Sequence, residues 1–458
     1  MSSLNALSNI AQSAMMAQEA AMEVIGQNIA NAQTPGYSRQ TLALKASTPV
    51  TTPNGVLGTG VAIQGITRSR DTLLDQQYRN QSGTASSYQE RSTLLGQIQT
   101  VYGEPSTTGL ANTMDSFFNS WSELASNPAD ASAKAVVQQS GAQLASTFNS
   151  YATQLSNLAA STQTAIAAST NQVNSITSQI GALNSQIVAA SSTGASPNDL
   201  LDQRDTLLDQ LSQLVSITVS PNKDGNDQVN IGGIEVVNGT AVKSLTLGSG
   251  IPLTITTSTG DALGSPGGQL GAMLTVANTD LPNAQNGLNT LASSIITDVN
   301  TSHAAGWSPP AGTGVDFFDS SPANATAQNM RLSAAVAGDP STIATGSTAN
   351  AAGDNTIALA IAGLQNFSPT APGNSFSGAY SSLVTSVANA KNASDSSSTV
   401  YQTLQQQADS QRQSVSGVNT DEELTQMINK QQAYVAAAKL IQTIQSMSTA
   451  LLSIAPTS

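Results

Sequence analysis

The chain has 458 residues, which is too long for one ordinary core, so two to four domains are expected. Only 9% of residues are charged, and the formal net charge is −13 with just 15 Lys and Arg. This argues against a basic nucleic-acid footprint or electrostatic docking on an anionic membrane. Cysteine is absent, which removes disulfides, thiolate metal sites and thiol nucleophiles. No run approaches the roughly 20 apolar residues of a membrane span.

Residues 3 to about 31 read as one helix, because Leu4, Leu7, Ala11, Ala14, Met22, Ile25 and Ile29 recur at three-to-four spacing. The stripe is narrow and interrupted by Gln18, so the helix needs a partner. The first positive side chain is Arg39, which does not fit a cleaved signal peptide. The helix stops at Thr34-Pro35-Gly36-Tyr37, where Pro followed by Gly suits the centre of a type II turn. Leu42 and Leu44, then Val61 and Ile63, alternate as strands do.

Helix returns from about Asp71, with Leu74, Tyr78, Ala85, Tyr88, Leu95 and Tyr102 on one face. Breaks are expected near Glu104-Pro105 and Asn127-Pro128. A very long helix follows, marked by Leu144, Phe148, Tyr151, Leu155 and Leu158, then Val173, Ile176, Ile180, Leu183 and Ile187. Such a rod exceeds the needs of a compact domain and points to a coiled-coil-like bundle. Ser196-Pro197 reads as a cap opening the next helix.

From Ile217 the pattern changes to short β-branched runs with Asp224-Gly225 and Asn238-Gly239 as tight turns. Residues 264–268 look like a boundary, and a helix is expected over about 270–303. Residues 306–375 read as a second, loop-rich part of the β module. The chain is helical again from Tyr380, with Val384, Val387, Tyr401 and Leu404 on the first stretch. Thr420-Asp421-Glu422-Glu423 reads as a capping box, followed by a seam of Leu424, Met427, Tyr434, Ala438, Ile441, Ile444 and Leu451. The fold class is α+β multidomain: a long-helix bundle built from both chain ends, with an inserted β-rich outer domain. The terminal helices are expected to lie side by side.

Residues suited to catalysis are sparse. The single histidine, His303, reads as a surface or helix-end residue. The pairs Asp202/Asp205 and Asp421/Glu423 read as capping or solvent-facing carboxylates, and Arg204 as a local helix ion pair. Phosphate-loop and dinucleotide fingerprints are missing. No cofactor, metal or enzymatic activity is expected.

Three separated segments carry a family resemblance. Asn28-Ile29-Ala30-Asn31-Ala32-Gln33-Thr34-Pro35-Gly36-Tyr37-Ser38-Arg39-Gln40 resembles the signature of flagellar rod, hook and hook-associated proteins. Asp199 to Asp205, and Ser416 to Leu424 followed by Gln431-Gln432-Ala433-Tyr434 and Ala438 to Thr443, look like the first hook-associated protein (FlgK) family. Within the signature, Asn28, Asn31, Thr34, Pro35, Gly36, Tyr37 and Arg39 carry the match.

The resemblance implies a structural subunit joining hook to filament. It would be exported by the flagellar type III route and lie outside the cell. Its partners would be the hook protein, the second junction protein, further copies in a helical array, and an export chaperone on the last helix. Neither nucleic acid nor membrane insertion is implied. The terminal helices would form an inner core, with an assembly interface at Leu4, Leu7, Met22, Ile25, Ile29, Leu424, Met427, Tyr434, Ile441, Ile444 and Leu451. The chaperone would read Leu424, Ile428, Tyr434 and Ile441. Expected domains are 1–33 with 420–458 as the terminal core; 34–215 with 265–305 and 376–419 as the bundle; and 216–264 with 306–375 as the outer domain. Another axial subunit, hook or second junction protein, and a secreted adhesin using residues 217–375 are the alternatives. A muramidase-like carboxylate pair would be the enzymatic one.

Overall fold

The computed structural model describes residues 2–52, 55–103, 106, 109–194, 196–222, 225–309 and 312–454. The expected break at Glu104-Pro105 and the turn residue Asp224 lie outside the described residues. The chain opens with α1 (Ser2–Ala30). A two-stranded ribbon follows, in which β1 (Gln40–Ala46) pairs antiparallel with β4 (Val61–Arg68). A small hairpin of β2 (Val50–Thr52) and β3 (Gly55–Leu57) extends it.

Four helices come next: α2 (Thr72–Tyr102), α3 (Leu110–Ser126), α4 (Ala131–Ser192) and α5 (Asn198–Leu214). Asp71 opens α2 by accepting from the Leu73 and Leu74 N–H groups, which satisfies two of the donors a helix start leaves bare. With 62 residues, α4 spans about 93 Å at 1.5 Å per residue. Ser196 does not cap α5. Pro197 occupies that position without a side-chain bond, and Asn198 instead reaches the ribbon, donating to Gln40 Oε1 and the Ile66 carbonyl.

The β module is a four-stranded antiparallel sheet of β5 (Ile217–Pro221), β6 (Asp227–Ile231), β7 (Ile234–Asn238) and β8 (Ala241–Val242), in that order. A pair formed by β9 (Leu245–Leu247) and β10 (Ile255–Thr257) accompanies it. Strand β6 alternates buried and half-buried residues, so Val229 and Ile231 enter the core while their neighbours face outward. The chain then forms α6 (Gly268–Thr275), a π-helical turn, and α7 (Leu281–Ala304). The short α8 (Ala334–Gly338) and α9 (Thr356–Gly363) precede the closing helices α10 (Phe376–Ser416) and α11 (Thr420–Ile454).

Two cores result. One joins α5, α6 and the far half of α4 to the sheet, through Ile166, Val173, Ile180, Leu208, Val229 and Ile231. The other joins α2, α3, α7, α10 and the near half of α4 around an aromatic cluster of Phe117, Phe118, Trp121, Phe317, Phe318 and Phe376. Helix α4 contributes to both.

Residues 306–375 differ from the sequence expectation. Among the described residues they hold isolated bridges and short helices in place of strands. Their Phe317, Phe318, Met330, Val336, Ile343 and Ile361 side chains belong to the aromatic core, not to the sheet's core. The reason is how the segment's backbone is satisfied. Asn300 Oδ1 accepts from Phe317 N–H and Phe318 N–H, and its Nδ2 donates to the Phe318 carbonyl. Asn149 donates to the Ala327 and Met330 carbonyls, and Asn289 accepts from Ala327 N–H. A side-chain amide offers the same donor and acceptor as a peptide, so it replaces a strand neighbour without adding charge. The β module is held in the same way, by Asn174 at Leu245, Asn278 at Leu253, and Asn184 at Asp227 and Gly239.

His303 lies in the last turn of α7 but is fully buried, unlike the surface residue expected. Its Nδ1–H donates to the Val315 carbonyl at 2.7 Å, and its Nε2 accepts from Ala344 N–H at 3.0 Å. Burial pulls its pKa from 6.5 down to about 4. A proton on Nε2 would face the Ala344 N–H donor directly.

As pH falls from 6.5 towards about 4, the unfolded chain therefore takes up a proton that the folded chain refuses. The fold loses stability across that window, by about 3 kcal/mol at 1.36 kcal/mol per pKa unit. The difference in urea-midpoint shift between pH 7 and pH 4 for the intact chain and for His303→Asn is expected to show this loss. A separate packing test uses Gly141, where an added Cβ would meet Phe317 Cε1 at 2.7 Å. Gly141→Val should lower stability by about 1–3 kcal/mol through overpacking, read from the same urea midpoints.

Candidate assembly site

Helices α1 and α11 pack against each other although they come from opposite ends of the chain. They run antiparallel, because Asn28 near the end of α1 meets Glu423 near the start of α11. Ile25 and Ile444 are buried in this seam. Leu4, Met22, Ile29, Met427, Tyr434 and Ile441 are half-buried, while Leu7, Leu424, Ile428 and Leu451 remain exposed.

The signature residues form the hub at the base of this pair. Asn28 fills every hydrogen-bonding position of its amide. Nδ2 donates to the Gln40 carbonyl at 2.9 Å and to Glu423 Oε2 at 3.0 Å, and Oδ1 accepts from Gln40 N–H and the Tyr37 hydroxyl, both at 2.9 Å. Glu423 is buried, and Arg39 Nε donates to its other oxygen at 2.8 Å. The Arg39 N–H closes the circuit on the Ser416 carbonyl at 2.9 Å. Burial, then Asp202, Asp199 and Glu423, push the Tyr37 hydroxyl up to about 12, so it remains a donor to Asn28.

The turn before it forms as expected. Tyr37 N–H donates to the Thr34 carbonyl at 3.2 Å, with Pro35 and Gly36 between them. Gly36 has φ +81°, which a side chain would resist, and a Cβ there would lie 2.3 Å from Thr206 Oγ1. Asn31 accepts from the Thr34 hydroxyl and donates to the Gln27 carbonyl, ending α1.

The capping box is displaced by one residue. Asn419 Oδ1 accepts from Asp421 N–H and, at 3.4 Å, from Glu422 N–H, so Asn419 takes the place expected for Thr420. Glu423 does not turn back on the helix start, because Asn28 and Arg39 hold both its oxygens.

Below the hub lies an ionic network that the sequence reading missed. Asp202 accepts from Ser38 N–H at 3.1 Å, Ser38 Oγ at 2.7 Å and Arg68 Nη1 at 2.7 Å. Asp205 meets Arg68, Arg70 and Arg79 at 2.8, 3.0 and 3.2 Å. Arg79 continues to Asp209, which also binds Arg412 of α10. Arg70 pairs with Asp75, and Arg412 stacks 3.9 Å over the Tyr78 ring. Burial opposes the Asp205 charge, but Arg70, Arg68 and Arg79 outweigh it and hold the carboxyl below its usual range.

These carboxylates are therefore neither solvent-facing nor free for acid–base work. Arg204 also departs from its expected local pair: it spans to Asp227 at 2.8 Å, Asn184 Oδ1 and the Gly225 carbonyl, joining α5 to α4 and the β module. The missed signal was positional. Asp202, Asp205 and Asp209 stand at i, i+3 and i+7 on one face of α5, and Arg68 and Arg70 at i and i+2 on an extended segment.

Comparison with known proteins agrees with this arrangement. Residues 9–37 match the family model described as flagella basal body rod protein, residues 95–318 the flagellar hook-associated protein FlgK helical domain, and residues 409–454 the flagellar basal body rod FlgEFG protein C-terminal. Flagellar hook-associated protein 1 of Bacillus subtilis (strain 168) is 30% identical over 94% of this chain and 94% of its own length. The chain belongs to the flagellar hook-associated protein 1 family.

Membership makes it a structural component of the flagellum. The Salmonella typhimurium and Escherichia coli K12 relatives of the same name are 27% and 28% identical, each over 98% of this chain and all of their own length. The structure of the flagellar hook junction protein FlgK from Burkholderia pseudomallei shares the fold, with a TM-score of 0.67 at 20% identity, and covers 74% of this chain and 100% of that one. The two terminal matches take in most of α1 with the turn after it, and all of α11 with the end of α10, so they include both Asn28 and Glu423.

Removing the tie should loosen the terminal pair locally. Asn28→Ala leaves buried partners on Gln40, Tyr37 and Glu423 unmatched, a cost of about 1–3 kcal/mol. Trypsin cleavage after Arg39 is expected to speed up about tenfold, while thermal unfolding of the aromatic core, followed by tryptophan fluorescence, stays within a few degrees. An unchanged cleavage rate would show that the seam alone holds the pair.

Proposed function

We propose that this chain is a non-catalytic adaptor at the hook–filament junction, working outside the cell after export by the flagellar type III route. The observation that carries the reading is the terminal helix pair. It is rigidly based on the Asn28–Glu423 tie, yet it exposes large apolar residues along most of its length. A two-helix unit with such flanks is completed by neighbours, and a helical array supplies them through heterologous contacts that do not close. The seam and exposed positions from Leu4 to Ile29 and from Leu424 to Leu451 are the proposed assembly interface. The hook protein and the second junction protein are the proposed neighbours at its two ends.

The same helix is the proposed site for an export chaperone. Leu424 and Ile428 are already exposed, whereas Tyr434 and Ile441 are half-buried and open further when α11 leaves α1. For domains, we propose residues 1–33 with 420–458 as the inner unit and 216–264 as the outer β module. Residues 34–215 and 265–419 then form the bundle, with 306–375 inside it because they share its core.

Truncation before Thr420 removes α11 and with it the seam. The truncated chain should be missing from isolated flagella while the bundle still unfolds cooperatively; recovery in flagella at normal amounts would sink the reading. Immunogold labelling with an antibody against residues 217–257 should give one narrow band at the distal end of the hook. Label along the whole hook or filament would identify a bulk subunit instead.

A further inference from the structure

Beside the first turn of α4, three segments enclose a cavity of about 230 Å³ that the proposed function does not use. They are the turn from α3 into α4, the turn after α7, and the loop before α9. The walls are largely apolar, with Trp307, Pro128, Pro309 and Ala351. Lys134 and Asn350 bring polar groups to it. No Asp or Glu lines it among the described residues, although the chain has 28 acidic residues against 15 basic ones.

The three segments are fixed before any ligand arrives. Ala344 N–H donates to His303 Nε2, Trp307 N–H to the Gly346 carbonyl at 2.9 Å, and Asn355 Nδ2 to the Ala125 carbonyl at 2.8 Å. The Trp307 ring is backed by the turn that pairs Ser308 with Gly312, where a Cβ on Gly312 would come within 3.9 Å of Cζ3. A site held in this way loses little freedom on binding.

The charge at the cavity is unbalanced. Lys134 is half-buried, donates to the Ser341 carbonyl at 3.2 Å, and makes no ion pair among the described residues. Burial pulls its ammonium below the usual lysine range, and Asp339 opposes this. The aspartates nearby are committed to backbone donors. Asp130 accepts from Ser132 N–H, Asp339 from Ser341 N–H, and Asp354 from the N–H groups of Ser347, Thr348 and Thr356. The Trp307 indole N–H also has no partner among the described residues. A partly desolvated cation is stabilised by an anion that supplies acceptor oxygens. One ammonium balances one negative charge, and the walls favour an apolar body beside it.

We propose that this cavity binds a small monocarboxylic acid with a flat apolar body, its carboxylate on Lys134 and its body against Trp307, Pro128 and Pro309. The volume lies below the roughly 300–1,000 Å³ of sites for drug-sized molecules, so the ligand is smaller than those. The inference does not rest on where in the flagellum the chain sits.

The test uses the purified full-length chain and 3-phenylpropionate as probe. Binding is read from tryptophan emission, since Trp307 lines the cavity and the other tryptophan, Trp121, is fully buried. Equilibrium dialysis of the labelled probe gives a second readout. Half-saturation is expected at about 1 mM, the affinity that a ligand of about 11 heavy atoms reaches at ordinary efficiency. The neutral 3-phenylpropionamide should bind at least about fivefold more weakly, and inorganic phosphate more weakly still. Lys134→Gln should abolish the preference for acid over amide while the urea midpoint stays in place, and Lys134→Arg should keep that preference. Acetylglycylphenylalanine distinguishes the two sources of such a group. Tighter binding than the probe would identify a polypeptide end, and weaker binding a free acid.

No saturable binding by either readout up to about 10 mM would overturn the proposal. So would equal binding of acid and amide, binding of phosphate as tight as that of the probe, or an acid preference that survives Lys134→Gln.

Discussion

One buried amide connects the ends of this chain. Asn28 and Glu423 are 395 positions apart, and their contact draws in the signature turn, the first strand and the last helix. A buried carboxylate is tolerable only where donors surround it, and here Arg39 and Asn28 supply them. The ribbon starts from the same amide, so its direction is set there too. The tie sets where along its length α11 meets α1, and the Arg39–Glu423 ion pair holds the same carboxylate from the other side.

The hub also explains how a chain so poor in charge uses the charges it has. Arg68, Arg70, Arg79 and Arg412, from three different segments, converge on aspartates of α2 and α5. Each pair is largely withdrawn from water, where an unmatched partner would be costly. The network thus favours one arrangement of ribbon, bundle and linker over others, because any slippage leaves a buried charge alone. Elsewhere neutral amides from Asn149, Asn174, Asn184 and Asn300 do the equivalent work on loop backbone. The abundance of asparagine and the scarcity of charge are two sides of one construction.

Much of this architecture could be read from sequence because it rests on periodicity. The four-three spacing of Leu144 to Leu158 and of Val173 to Ile187 marks both halves of α4, and the residues concerned are buried or half-buried there. The switch to strands at Ile217 was visible because alternation and Asn-Gly turns are local properties. The remainder depends on partners distant in sequence. Residues 306–375 have composition but no period, and their place in the aromatic core follows from Asn300 and Asn149. Glu423 looked like a cap because Asn28 cannot be seen from Thr420. His303 looked superficial because Val315 and Ala344, which satisfy its two nitrogens, lie 12 and 41 positions away. Asp202 and Asp205 looked solvated because their arginines come from another segment.

Helix α4 is shared by both cores, and this has a mechanical consequence. Its near half is packed among aromatic rings and its far half against the sheet, with Asn174 and Asn184 fastening the latter. A force applied to the β module therefore enters the bundle along a continuous rod and not through a flexible joint. Axial hydrogen bonds in such a rod are loaded in parallel with its length, and bending it would strain both cores at once. Torque arriving at one end of the molecule is passed on as rotation of the whole body, and the connection to the terminal pair does not decouple it, because Tyr37, Ser38 and Arg39 are bonded to Asn28, Asp202 and Glu423.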